Sequence, residues 1–227
     1  MNPKLNRRQI TEFAIAAGVL SSSQSARAFM FSIFGAQVDT DKTSRRSDMP
    51  DPQTQYPPLP PDDLNRTLTS ANPDHEGKLP HIGLVGDTYT ITVDGDDTKG
   101  RFCVVDMHIP PGGGPGPHRH DFEETFIVLD GEIEATFLGK KSVVGAGETI
   151  NIPANAPHQF HNASANPARL ICICSPAGQE KFFLEVGVPV ATRTTAPPKL
   201  DDKQMAMFLE KAKALAPKYH TELLKEA

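Results

Sequence analysis

Alternating apolar and polar positions recur along the middle of the chain and predict a series of short β-strands. Residues 88–93 are rich in strand-forming side chains, and residues 132–138 alternate regularly between apolar and polar. Residues 94–97 and 130–131 have the composition of turns. The other predicted strands are 101–109, 125–129, 149–152, 158–162 and 169–174. Many short strands at regular spacing predict an all-β fold, closed as a barrel or built from two sheets.

After residue 190 the pattern changes from strand to helix. Asp201 or Asp202 can cap a helix, and apolar residues then recur at helical spacing until Pro217 interrupts them before a short segment, 219–224. The apolar residues are Met205, Phe208, Leu209 and Ala212. We expect this stripe to pack against its own domain, with a dimer contact as the alternative. A homodimer is the expected assembly.

The first 28 residues have the pattern of an export signal. A basic start precedes an apolar stretch, 13–20, and the small-residue cleavage pattern Ala26-Arg27-Ala28. The pair Arg7-Arg8 resembles a twin-arginine signal. We therefore expect a periplasmic or extracellular protein without stable membrane insertion after signal cleavage. An ordinary secretory signal and an uncleaved anchor extended through residues 29–31 are the alternatives.

Composition limits the classes of partner. The chain is formally −5, and loss of residues 1–28 would leave 19 basic and 27 acidic groups, or −8, which argues against nucleic acid. Residues 29–80 form a proline-rich segment, which is either a linker or an arm along a neighbouring subunit. The expected partner is a small-molecule ligand.

Three histidines and one glutamate are candidate metal ligands. His118, His120 and Glu124 have even numbers, so on one extended strand they would project to the same side. His158 opens a later predicted strand and can complete the set from across a barrel. Imidazole and carboxylate together suit a first-row divalent ion. Glu123 is a rival carboxylate, but its odd number places it on the other face of that strand.

Two stretches resemble the two signature motifs of the cupins, small β-barrels that usually hold one metal ion. They are Gly112-x5-His118-x-His120-x3-Glu124-x6-Gly131 and Gly147-x5-Pro153-x-Asn155-x2-His158-x3-Asn162. Asn155 stands where the family pattern has glycine. Because Asn tolerates the left-handed backbone region, we expect the turn to survive.

The resemblance implies a cupin barrel, also described as a double-stranded β-helix or jelly roll, over residues 81–190. A C-terminal helical extension over 191–227 would follow. It also implies that His118, His120, Glu124 and His158 bind one divalent transition metal. Manganese or iron is favoured, because a protein folded before export can be loaded where copper and zinc are scarce; nickel, copper and zinc are alternatives. Glu124 has an expected second role as a catalytic base that accepts a substrate hydroxyl proton.

The segment 179–187 is similar to that of single-barrel bacterial cupins described as similar to quercetin dioxygenases. This similarity implies a metal-dependent dioxygenase acting on a small phenolic or enolisable substrate. A non-catalytic module that binds metal or a small ligand, for storage or sensing, is the alternative, since one fold hosts many functions. A metal-dependent sugar isomerase is a less favoured function, because the sequence has no obvious cluster of basic residues that could bind a sugar phosphate.

Several residues near the candidate ligands have two possible roles. Four apolar side chains share the ligand parity and either line a cavity or fill the barrel: Phe122, Phe126, Val128 and Phe160. His108, His161 and Asn162 are expected to support the ligands or lie at the surface. Cys172 and Cys174 alternate with isoleucines in an apolar strand, so we expect buried thiols that act as small hydrophobic groups.

Overall fold

The computed structural model describes residues 59–75, 78–84 and 86–225, and the chain divides into two compact units, Met1–Leu64 and Asn65–Ala227. The second unit contains every described strand and helix. The predicted export signal and residues 29–58 of the predicted proline-rich segment lie outside the described residues, so these predictions stay predictions. Within the described ranges, no helix has both the length and the apolar composition needed to cross a bilayer.

Short strands make up most of the second unit. In β10 (Ala168–Ser175) alternate residues are buried, because successive side chains of a strand point to opposite faces. β3 (Cys103–Ile109) has the same alternation, except that Asp106 is buried as well. The other strands of the described residues are β1 (His81–Leu84), β2 (Asp87–Val93), β4 (His118–His120), β5 (Glu123–Asp130), β6 (Glu132–Phe137), β7 (Lys140–Gly145), β8 (Thr149–Ile152), β9 (His158–His161), β11 (Val188–Pro189) and β12 (Thr221–Leu223).

The strands form two antiparallel sheets that share one hydrophobic core. The larger sheet has the order β11-β1-β2-β3-β10-β5-β8, and the smaller has the order β12-β4-β9-β6-β7. Val105 and Leu170 of the larger sheet and Ile133 and Phe160 of the smaller sheet belong to the same buried cluster. The predicted fold class, an all-β jelly-roll barrel followed by a C-terminal helix, is confirmed.

Two α-helices follow the main run of strands. The second, α2 (Asp202–Leu215), begins as predicted after Asp201, whose side chain accepts a hydrogen bond from the backbone N–H of Gln204. The Gln204 side chain accepts one in return from the backbone N–H of Asp201, which completes a capping box. The first helix, α1 (Gln179–Val186), was not predicted, and it buries Phe182 and Phe183.

The C-terminal extension also supplies part of the smaller sheet. After α2 and a 3-10 helix, Ala216–Tyr219, the chain enters β12 and pairs with β4. Thr221 lies opposite His120, and Leu223 lies opposite His118. Consequently the segment predicted only as a short final element is hydrogen-bonded to the strand that carries two candidate ligands.

Candidate metal centre

Three strands bring the four predicted ligands together. β4 supplies His118 and His120, β9 supplies His158, and β5 supplies Glu124. All four side chains are buried, and their ligand atoms lie within 4.8 Å of one another. These residues therefore form a cluster able to hold one metal ion.

The strands that carry the cluster differ from the sequence-based prediction in two ways. His118, His120 and Glu124 do not share one strand, because the chain bends at Asp121 and Phe122 and passes from the smaller sheet to the larger one. His158 does not reach across the barrel, since β9 is the direct neighbour of β4 and His158 is paired with His118. The ligand that comes from the other sheet is Glu124.

Backbone carbonyls orient all three imidazole rings. Each Nδ1 lies 2.9 Å from a carbonyl oxygen two residues away, and the acceptors are Gly116, Phe122 and Ala156. A carbonyl oxygen only accepts, so each Nδ1 carries the hydrogen, and in the neutral ring Nε2 keeps its lone pair. Metal-binding histidines are commonly oriented by this kind of outer hydrogen bond.

The Glu124 carboxylate faces two of these Nε2 atoms. Its Oε2 lies 3.2 Å from His120 Nε2 and 3.1 Å from His158 Nε2. With Nδ1 protonated and the rings neutral, both atoms of each pair are acceptors, and a cation between them would remove the repulsion. Ligand bonds of about 2.1 Å separate neighbouring ligand atoms by about 3.0 Å in octahedral and about 3.4 Å in tetrahedral geometry. The observed spacings thus fit a shared ion.

The protonation states also suit a metal. Burial, followed by the neighbouring His158, lowers the pKa of His118 to about 4, so its ring is neutral at pH 7. Burial acts to raise the pKa of Glu124, but the His120 and His158 side chains that face its carboxylate outweigh burial and hold that pKa below its usual range. A neutral imidazole and an ionised carboxylate are the forms that bind metal ions.

The rival carboxylate points away from the cluster. Glu123 is exposed and accepts hydrogen bonds from the Asn151 side chain, at 2.8 Å, and from the backbone N–H of Ala154, at 3.2 Å. It braces the turn before β9. In that turn Asn155 has φ of +64°, the left-handed conformation expected of the residue that replaces glycine. The Asn155 backbone N–H donates to the His120 carbonyl and ties this turn to β4.

Other predicted neighbours have different places. Phe122 stacks on His120, with ring centroids 3.8 Å apart and an interplanar angle of 4°. Asn162 is buried, and its side-chain amide donates to the carbonyl of Ile109. Among the described residues, neither His108 nor His161 belongs to the cluster, so neither is placed as a further ligand.

An apolar cavity of about 370 Å³ opens from the cluster, with His118 and Glu124 in its wall. Of the four apolar side chains predicted either to line a cavity or to fill the barrel, Phe126 and Phe160 line this cavity. Phe122 and Val128 are buried but do not line it. The two helices add three more aromatic side chains to the wall, Phe182, Phe183 and Phe208. This cavity has the size and character of a small-molecule site.

Sequence reasoning missed a second polar pair in the cavity. Asp87 and Tyr89 lie in its wall, and the Tyr89 hydroxyl donates to Asp87 Oδ2 at 3.2 Å. The Gly114 backbone N–H donates to the same oxygen at 3.1 Å. Burial raises the pKa of Asp87 to about 7, although these two hydrogen bonds act in the opposite direction. No local pattern separates this residue from an ordinary polar residue at the start of a strand.

Two cysteines lie behind the carboxylate. Cys172 and Cys174 are buried, as predicted, but their Sγ atoms also lie 3.3 Å and 3.9 Å from Glu124 Oε1. A hydrogen bond with Cys174 acts to lower the pKa of Cys172, but burial and the Glu124 charge outweigh it and raise that pKa to about 12. The antiparallel pairing of β10 with β5 sets Cys174 opposite Glu124, a long-range relation that local alternation does not reveal.

Comparison with known proteins agrees with this architecture. The family model described as a cupin domain matches residues 105–174. These residues form a cupin domain. The match contains both candidate-ligand motifs, and it ends within β10.

Two curated proteins share part of this cupin's sequence. Quercetin 2,3-dioxygenase of Bacillus subtilis (strain 168) is 28% identical over 108 residues, 47% of this chain and 32% of that protein. The HTH-type transcriptional regulator PuuR of Escherichia coli (strain K12) is 28% identical over 103 residues, 45% of this chain and 55% of the regulator. The matched segment therefore spans about a third of the first relative and about half of the second.

Two solved structures are similar at low sequence identity. An RmlC-like cupin from Shewanella frigidimarina is 18% identical, with a TM-score of 0.41, over 50% of this chain and 99% of the other. KdgF from Halomonas sp. is 18% identical, with a TM-score of 0.38, over 42% of this chain and 84% of the other.

Proposed function

We propose that this cupin is a metal-dependent dioxygenase that acts on a small phenolic or enolisable compound. One observation carries the proposal: the cluster of three histidines and Glu124 opens into an apolar cavity, and two of its members form part of the wall. A bound manganese or iron ion would supply Lewis acidity and redox chemistry with oxygen there. The likeness to quercetin 2,3-dioxygenase supports this reaction class.

Side chains of the cavity have distinct roles in this proposal. Glu124, which lies in the wall, accepts the proton of the substrate hydroxyl nearest the cluster. Asp87 and Tyr89 hold a second polar group of the substrate, and their mutual hydrogen bond keeps both oriented. The aromatic walls pack on the flat ring and exclude water from the reacting atoms.

The lining also separates substrate classes. Among the described residues that line the cavity, none is lysine or arginine. A sugar phosphate would need such a cation to balance its charge, so an aromatic alcohol or enol fits this cavity better than a phosphorylated sugar.

Oxygen uptake is the experiment that tests the proposal. Protein reconstituted with manganese or iron should consume oxygen when supplied with compounds of a phenolic panel that includes catechol and quercetin. Glu124→Gln should abolish this uptake, whereas Glu123→Gln, the matched change on an exposed neighbouring carboxylate, should preserve it. Absence of uptake with every compound of the panel would refute the dioxygenase proposal.

A ligand-binding module without turnover is the second candidate. The observation that favours it is the similarity to PuuR, a transcriptional regulator. Catechol that binds the metal-loaded protein without oxygen uptake would select this function.

We also propose that the protein acts outside the cytoplasm and carries manganese or iron in preference to copper. The support is the Arg7-Arg8 pair within a signal-like segment, since export after folding would trap an ion loaded in the cytoplasm. Cell fractionation with metal analysis of the native protein tests both parts. Intact Met1 in the cytosol contradicts the first part, and copper as the main ion contradicts the second.

A further inference from the structure

We propose that Cys172, Cys174 and Glu124 form a second metal-binding subsite, selective for a thiophilic ion such as Zn²⁺, Cd²⁺ or Cu⁺. The three side chains place one ligand atom each within 4.8 Å of the others, and all three are buried. This subsite is distinct from the histidine cluster in its donor atoms and lies on the other side of the Glu124 carboxylate.

The orientation of Glu124 separates the two sets of donors. Its Oε2 faces the Nε2 atoms of His120 and His158, while its Oε1 faces the two thiols. A carboxylate that presents one oxygen to each side can serve either ion or bridge both. The carboxylate is thus the only group shared between the histidine cluster and the thiol subsite.

The spacing of the three donors fits a single small ion. The sulfur atoms are 3.6 Å apart, and they lie 3.3 Å and 3.9 Å from Oε1. With zinc–sulfur bonds of about 2.3 Å and zinc–oxygen bonds of about 2.0 Å, a tetrahedral ion separates sulfur from sulfur by about 3.8 Å and sulfur from oxygen by about 3.5 Å. Small side-chain shifts would seat such an ion against the three donors.

The geometry of β10 places both thiols on the same face of the strand. Cys172 and Cys174 are two residues apart on β10, so both point to the inner face, where the pairing with β5 brings them to Glu124. Two sulfurs and one oxygen favour soft ions, whereas the histidine cluster offers three nitrogens and one oxygen. Binding would displace the two thiol protons to solvent as two metal–sulfur bonds form.

Occupation of this subsite has a consequence for the histidine cluster. An ion bound to Glu124 Oε1 would withdraw negative charge from Oε2 and weaken the hold of the cluster on its own ion. A thiophilic metal would therefore oppose the metal chemistry proposed for the cavity. The existence of the subsite does not depend on that chemistry.

Cadmium titration of the reduced, metal-free full-length protein tests the proposal. Thiolate-to-cadmium charge transfer should appear in the ultraviolet at saturation, with release of about two protons per ion. The band should be lost in the Cys172→Ser/Cys174→Ser double variant. It should persist in Cys103→Ser, which changes the buried cysteine opposite Cys174 that is not one of the three donors. It should also persist in His158→Ala, which changes a residue of the other cluster.

Cadmium NMR of the unsubstituted protein provides a measurement that needs no variant. The proposal predicts a resonance shifted by sulfur coordination, separate from any resonance of a nitrogen- and oxygen-coordinated ion. Resonances of the latter kind alone at saturation, or a charge-transfer band that survives the double substitution, would overturn it. Loss of dioxygenase activity in any variant has no bearing on this readout, so the two proposals fail separately.

Discussion

The wild-type protein should lose stability as pH rises, because Asp87 is buried, and replacing Asp87 by Asn should remove this loss. Asp87 is only 3% exposed, and its carboxylate receives two neutral hydrogen bonds, at 3.2 Å from Tyr89 and 3.1 Å from Gly114. These do not replace the lost hydration of the ionised group. The pKa is consequently raised from 3.8 to about 7 in the folded protein.

The size and sign of the effect follow from linkage. A difference of about three pKa units corresponds to about 4 kcal/mol between the protonated and ionised states, as an upper limit. Because the folded state holds this proton more tightly, its stabilising contribution is full below pH 3.8 and is lost as pH rises to about 7. Asn has nearly the same shape and does not titrate, so its contribution should be flat over this range.

Urea unfolding of metal-free protein at a series of pH values measures this effect. The unfolding free energy of Asp87→Asn minus that of the wild type should rise by up to about 4 kcal/mol between about pH 4 and about pH 8. Asp96→Asn, in the exposed turn after β2, is the matched control for the same chemical change without burial. A difference between Asp87→Asn and wild type that does not change with pH would show that folding does not raise the pKa of Asp87.

Two further predictions concern backbone positions around the cluster. Gly114 lies in the loop that leads to His118, and a Cβ added there would lie 2.2 Å from the Phe160 carbonyl oxygen. Gly114→Ala should therefore destabilise the protein by more than about 2 kcal/mol and lower its metal content. Gly116→Ala, in the same loop with no atom within 4 Å of a new Cβ, should leave urea unfolding and metal content nearly unchanged; equal losses in both variants would contradict the contact. Asn155→Ala should cost about 1 kcal/mol by thermal unfolding, because its φ is +64°, and Asn155→Gly should cost less; the opposite order would contradict the strain argument.

Local sequence patterns predicted the strands and helices whose structure depends on residues close to them in the sequence. Alternation identified β10, where Leu170, Cys172 and Cys174 are buried on one face. A capping residue and helical periodicity placed the start of α2 after Asp201. β7 lacked such a signal, because Val144 is its only fully buried residue, so the alternation along it is weak.

Long-range pairing accounts for what the sequence did not predict at the site. The change of sheet between His120 and Glu123 depends on a bend that looks like continued strand in the local pattern. The pairing of β12 with β4 joins segments about a hundred residues apart in the chain, and nothing in the residues near Thr221 indicates their partner. Asp87 becomes a buried cavity residue only because the loop at Gly114 folds against it.

The choice between adjacent carboxylates shows how far parity can be used. Alternation favours Glu124 over Glu123, and of these two carboxylates the structure places only Glu124 in the cluster. Alternation applies along one continuous strand, whereas β4 and β5 are separate strands. Glu124 nevertheless joins His118 and His120, because all three side chains face the interior even though two sheets supply them.

Metal analysis of purified protein would decide whether His118, His120, Glu124 and His158 hold one metal ion. Wild-type protein loaded with manganese or iron should contain one ion per chain in this cluster. His158→Ala should lose most of it, because a buried ligand 3.1 Å from Glu124 is removed, while His161→Ala, an exposed histidine on the same strand, should keep it. A folded His158→Ala protein that retains the wild-type metal content would show that the ion is not held by this cluster.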